Sequence, residues 1–380
     1  MGTIMDYLFW RGDLSFLADP LNDIDVLILS LLSYLSFKDI VPDVESKQHI
    51  SLKETSDRYF SRDQNRQTAS SNIKPTASPS FDSGLLVLLR EAANCLRFRD
   101  IQLSSYVEEM DFVIGQQFGA VTFTLSGKEL EEVIAFRGTN NSLIGWKEDF
   151  ELAYMEQIPA QDSATRYLNN SINIFSGKVI VCGHSKGGNL AVYAGSHINK
   201  PLRNKLSKII NFDGPGFDFS IIPQSAFSYC ENKVVNYIPE ESIVGMLLEP
   251  VGKRVVLSSL ARGLNQHNAL NWKVKQTRFV IGNLSKTTQL LEHTLRTWLA
   301  DLSVEKRELF IEALFDILGA SEGKTIDPKE NLKDARKILL KYSKLDNESR
   351  RLLNEVILSF YVKSGNTLST TIMENLPRII

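Results

Sequence analysis

Apolar residues change their spacing twice along the chain. Over residues 1–60 the spacing is helical. Val26, Leu27, Leu31, Leu32 and Leu35 form a dense apolar face, Asn22 or Asp23 can cap it, and Pro42 falls soon after its end. Residues 61–80 (SRDQNRQTASSNIKPTASPS) are polar and Ser/Pro-bearing, which predicts a loop or flexible insertion. Helical spacing resumes at 85–96. From residue 118 the period shortens to two: Val121, Phe123 and Leu125 alternate with Thr122 and Thr124. A turn at Ser126-Gly127-Lys128 and an apolar run over 133–136 complete a predicted hairpin.

A helical segment near 164–174 then leads to the run Val179-Ile180-Val181-Cys182. Short β-branched or aromatic runs follow at 209–212, 234–238, 254–258 and 278–281, each bounded by Gly, Pro or Asn. Beyond about residue 285 the period is helical again, over 290–302, 306–318, 332–342 and 349–362. Short strands separated by helices predict an α/β sheet. The expected organisation is a helical block with a flexible insertion packing on the core (1–100), the α/β core (101–285) and a helical appendage (286–380).

The strand at 179–182 runs into Gly183-His184-Ser185-Lys186-Gly187-Gly188, and a helix-compatible stretch follows. This is the strand–turn–helix setting of a G-x-S-x-G nucleophile elbow. Gly183 and Gly187 lack Cβ atoms, so strand and helix can approach closely across the turn. The Lys186 N–H lies at a helix N-terminus, where a free donor and the positive end of the dipole can meet an oxyanion.

Composition removes alternatives. A net charge of −2 makes no electrostatic case for nucleic acid or a membrane surface. Three scattered cysteines without C-x-x-C spacing argue against a disulfide framework and fit a reducing cytoplasm. The start MGTIMDYLFWRGD lacks the pattern of a signal peptide, and the most apolar run, 24–37, is too short to span a bilayer. No metal-ligand cluster or phosphate-binding Gly loop is evident, so no cofactor or metal is expected.

A serine nucleophile needs a base, and the base needs an orienting acid. In an α/β-hydrolase these follow the serine in the chain order acid, then His. Of the five histidines, His49 precedes the strands, His184 and His197 belong to the elbow and its helix, and His293 lies in the appendage. His267, in the loop Gly263-Leu264-Asn265-Gln266-His267-Asn268, remains as base. The acid is open among Glu241, Glu240 and Asp213, with Glu241 favoured for its place after the strand at 233–238. Arg137-Gly138-Thr139 suits the second oxyanion donor, because Thr139 can offer both N–H and O–H. Asp149 could brace that loop. A positive charge on Lys186 beside the elbow would suit a polar or anionic substrate.

Ala135-Phe136-Arg137-Gly138-Thr139, then Trp146 and Asp149, then the elbow, resemble the class 3 lipase pattern. Asp-Tyr-Leu-Phe-Trp-Arg-Gly-Asp at 6–13, with 237–247 and 267–272, is more similar to the bacterial Mbeg-like branch. The resemblance spans roughly residues 5–285. It implies an α/β-hydrolase fold with nucleophile Ser185, oxyanion residue Thr139 and base His267. It also implies an acid within 241–244, where the usual Asp aligns nearer Ser242. The expected activity is hydrolysis of a carboxylic ester, of a lipid or an acylated metabolite, through an acyl-enzyme. A silent binding or scaffolding protein and an amidase or peptidase are the alternatives. The apolar flanking helices read as fixed walls, predicting turnover of monomeric, water-soluble esters without a lid; oligomeric state is left open.

Overall fold

The computed structural model describes residues 2–62, 81–127, 130–139, 143–173 and 176–318, with isolated positions 347, 350, 351 and 354. Eight strands form one sheet in their chain order: β1 (Ile50–Ser51), β2 (Gln102–Asp111), β3 (Gln116–Ser126), β4 (Leu130–Phe136), β5 (Lys178–His184), β6 (Leu206–Phe212), β7 (Val234–Pro239) and β8 (Lys253–Leu257). The first four are antiparallel, and the expected hairpin pairs Val121 with Ala135 and Phe123 with Val133. From β4 to β8 the pairing is parallel.

Parallel strands that step always in one direction, joined by right-handed crossovers, place their connections on one face. That face carries α6 (Pro159–Ser171) and α7 (Lys186–Ser196). Ala164 and Leu168 of the first and Leu190 and Ala194 of the second share a core with Ile134, Val181 and Ile209. Between β4 and α6 lies α5 (Leu143–Glu151).

The opposite face would be bare without the N-terminal helices. These are α1 (Ile4–Arg11), α2 (Asp23–Leu32), α3 (Leu52–Ser61) and α4 (Phe81–Asn94). Asn22 caps α2 by accepting from the Ile24 N–H at 2.9 Å. Every residue of α2 from Ile24 to Leu32 is buried, because the helix lies between β4, β5 and α4. Phe123, Val133, Cys182 and Phe212 form one core with Leu27, Leu31, Leu88 and Leu89. A buried carboxylate joins the layers: Asp25 Oδ1 accepts from Tyr7 Oη at 2.7 Å, and Asp25 Oδ2 pairs with Arg97 at 2.6 Å.

Two elements differ from expectation. β2 carries no clean alternation, since a register shift between Ser104 and Val107 and a positive φ of 53° at Ser105 break its period. The run at 278–281 adds no full strand to the main sheet and touches it only at an antiparallel bridge from Ile281 to Leu257 of β8. Arg278–Phe279 (β10) folds back on Val274–Lys275 (β9) through a turn at Gln276, which leaves room for only two paired residues.

The expected helices at 290–302 and 306–318 are α8 (Lys286–Ala300) and α9 (Val304–Leu318). Arg307 fastens α9 by donating to Ala153 O at 2.9 Å and pairing with Asp218. The segment 332–342 and most of 349–362 and of 61–80 lie outside the described residues. Among the described residues no helix is long and apolar enough to cross a membrane.

Candidate active site

β5 ends at His184, α7 begins at Lys186, and Ser185 between them has φ 57° and ψ −134°. A non-glycine residue held there costs about 1–3 kcal/mol, so the surroundings must enforce it. They do so by close approach. A Cβ on Gly183 would collide with the Gly187 backbone, and one on Gly187 with the Phe136 carbonyl. The Ser185 N–H donates to Phe212 O at 2.9 Å, and the Gly188 N–H to Ser185 O at 2.8 Å. Being first in α7, the Lys186 N–H has no preceding helical turn to bond.

The Lys186 side chain does not present a charge to substrate, contrary to the sequence-based expectation. It is buried, with Nζ 2.6 Å from Glu148 Oε2 and 3.0 Å from Gln117 O. Glu148 also accepts from the Gln117 N–H at 3.0 Å and the Ala160 N–H at 2.9 Å. One ion pair thus ties β3, α5, α6 and the elbow together, and its carboxylate is surrounded by donors, as a buried charge requires.

His267 Nδ1 lies 2.7 Å from Asp213 Oδ2, with the Asp213 side chain fully buried and the imidazole 30 % exposed. The carboxylate is an acceptor here, so Nδ1 carries a proton toward it. Asp213 has φ 53° at the end of β6, and its N–H donates to Tyr237 O at 2.8 Å. Its other oxygen accepts from Ser242 Oγ, which in turn accepts from the Gly245 N–H at 3.0 Å.

The carboxylate that meets His267 is therefore that of Asp213, not that of the favoured Glu241. Glu241 Oε2 instead accepts from the Gly263 N–H and from Gln266 Nε2 at 2.9 Å, while its own N–H donates to Gln266 Oε1 at 3.0 Å. Both ends of this clasp grip the loop that carries His267. Glu240 accepts from Ser258 Oγ at 3.1 Å and belongs to the end of the sheet.

A residue not singled out by sequence lies at the centre. Buried His184 approaches His267 O with Nε2 at 2.8 Å and Tyr34 Oη with Nδ1 at 2.9 Å. A carbonyl accepts, so Nε2 carries the proton and Nδ1 accepts from the tyrosine. The two imidazoles stand 4.7 Å apart, and Phe81 at the start of α4 stacks on His184 at 6.0 Å. Burial, reinforced by nearby His267, holds the His184 pKa well below the usual histidine range. The only sequence signal for this role was the polar side chain in the buried tail of a strand.

Thr139 Oγ1 donates to Asp149 Oδ2 at 2.6 Å. Its single hydroxyl proton is thereby used, leaving the N–H as its donor toward an oxyanion. Burial pushes Asp149 up to about 6 against the pull of Lys186 and the Thr139 hydrogen bond. Its Oδ1 is buried without a partner among the described residues. Cys182 and Cys230 are buried and their thiols are pushed up by that burial, which keeps them poor nucleophiles.

A family model described as Mbeg1-like matches residues 92–316. Among solved structures, the crystal structure of M37 lipase is similar at 19% identity with a TM-score of 0.34, over 58% of this chain and 67% of that one. No curated protein matches the chain.

Proposed function

The chain belongs to the Mbeg1-like family, and from that premise we propose that it is a lipase-like serine hydrolase that cleaves carboxylic esters. Ser185 Oγ attacks the ester carbonyl while His267 Nε2 takes its proton. Asp213 holds the imidazole and stabilises the imidazolium. The Lys186 and Thr139 N–H groups receive the oxyanion of the tetrahedral intermediate. Collapse of that intermediate breaks the C–O bond, and His267 returns the proton to the leaving alkoxide. Water, deprotonated by His267, then hydrolyses the acyl-enzyme and frees Ser185 with the carboxylic acid.

The observation that carries this reading is the His267–Asp213 contact at 2.7 Å, formed on the same edge of the sheet as the Ser185 elbow. Intact-mass labelling by a fluorophosphonate tests it. One adduct is expected on the wild type and none on Ser185→Ala. Undiminished labelling of that variant, or no labelling of the wild type, overturns it.

A further inference from the structure

The turn between β2 and β3 presents Phe112, Val113 and Ile114 to solvent at 63%, 94% and 53% exposure. Three consecutive apolar side chains at such exposure are costly in water and, when clustered, mark interaction sites. The turn is built rather than frayed. Asp111 Oδ1 accepts from the Val113 N–H at 2.8 Å and the Ile114 N–H at 3.3 Å, and Gly115 closes the turn at φ 68°. Two backbone donors that would resist leaving water are thus already satisfied.

Its position follows from register. Ala120 of β3 pairs with Phe136 at the end of β4, so residues 116–119 run past that end by roughly 13 Å at 3.3 Å per residue. The chain continues from Phe136 to Thr139, and the ends of neighbouring β5 and β6 carry Ser185 and Asp213. The apolar tip therefore projects from the edge of the sheet that holds the candidate site. Its shaft is braced against the elbow, where Lys186 Nζ donates to Gln117 O, and against α6, where Gln116 Nε2 donates to Ser163 Oγ at 2.9 Å.

We propose that Phe112, Val113 and Ile114 form an anchor that inserts into a neutral lipid surface and seats the Ser185 edge against it. Shape and charge favour this occupant. A convex tip of three side chains falls far short of the roughly 20–30 residues per side of a stable protein interface, but it can enter a fluid phase. Glu109 and Asp111 flank it, so an anionic surface would repel it. The use of the anchor rests on the esterase reading; its existence does not. No lid is needed, because docking gathers the enzyme where ester is concentrated.

Flotation of the full chain with phosphatidylcholine vesicles tests the anchor. Wild type and Ser185→Ala are both expected to float, with little response to salt. The triple variant Phe112→Ser, Val113→Ser, Ile114→Ser should lose at least about tenfold in partitioning, from the apolar area removed. Val113→Glu alone should act in the same direction. Both variants should keep wild-type turnover of a water-soluble p-nitrophenyl ester.

A wild type that labels with fluorophosphonate yet fails to float overturns the anchor and leaves the hydrolase reading standing. Flotation without labelling does the reverse. Flotation only with anionic vesicles, reversed by salt, overturns the anchor. So does a tip-dependent dimer with no flotation, which would make the tip a contact between copies.

Discussion

Asp213 and His267 meet Oδ2 to Nδ1 at 2.7 Å, and Asp213 comes from the end of β6, the strand directly beside the elbow strand. The end of the next strand over, where Ser242 follows β7, supplies a hydroxyl to the same carboxylate. Two strand ends thus converge on the partner of His267, whereas the sequence reading, open among three carboxylates, favoured Glu241 at the second.

Asp213→Asn is expected to lower kcat by on the order of 10⁴, as loss of the orienting carboxylate does in a serine triad. Glu241→Gln, which weakens only the clasp on the His267 loop, should cost about tenfold or less. Steady-state kinetics on a soluble ester separate them; a crippled Glu241→Gln beside an active Asp213→Asn would reverse the assignment.

Lys186→Met leaves Glu148 buried with its cation gone, so a loss of about 3–5 kcal/mol is expected. Urea unfolding would show it as a lowered midpoint. Removing Glu148 as well should not restore stability, because the Gln117 and Ala160 N–H groups then lose their acceptor. The protein that remains folded should keep kcat within a few-fold, since the ammonium faces the core.

Two buried groups bend the stability curve in opposite senses. His184 has a folded pKa below its unfolded value near 6.5, so its contribution is complete above that pH and is lost as pH falls below it. Asp149 is raised from 3.8 to about 6, so the folded state binds the extra proton and stability falls as pH rises from about 4 to 6. Urea midpoints of His184→Gln and Asp149→Asn, each subtracted from wild type across pH 4–8, should show these slopes with opposite sign.

Helix α2 is a buried wall, with Ile24, Leu27 and Leu31 wholly inaccessible, so it supplies no opening lid. Rates on a short water-soluble p-nitrophenyl ester should therefore rise smoothly to saturation. A sharp jump at the critical micelle concentration that persists in the triple variant Phe112→Ser, Val113→Ser, Ile114→Ser, where the tip cannot dock, would show a lid after all.

The elbow turn and the β3–β4 hairpin were legible because each depends on local chemistry, glycines at a tight crossing and a period of two, and the His267 loop stood out by its place in the chain order. The carboxylate that meets His267 was not. Choosing Asp213 over Glu241 turns on a positive φ and on which strand end faces the His267 loop, neither of which spacing reveals. The Lys186 side chain was misjudged for a related reason, since its partner Glu148 lies on α5, remote in sequence. β2 escaped notice because an irregularity at Ser104 to Val107 shifts its side chains between faces midway.

The one-way march of the parallel strands has a consequence for how the protein can be made or dissected. The covering helix α2 leaves the ribosome on the order of ten seconds before β5, against which it must lie. Until then an almost wholly apolar helix has no sheet to cover. A fragment trimmed to the family-matched residues 92–316 suffers the converse. It keeps Ser185, His267 and Asp213 but strips Phe123, Val133, Cys182 and Phe212 of their cover, and such a surface precipitates rather than stays in solution.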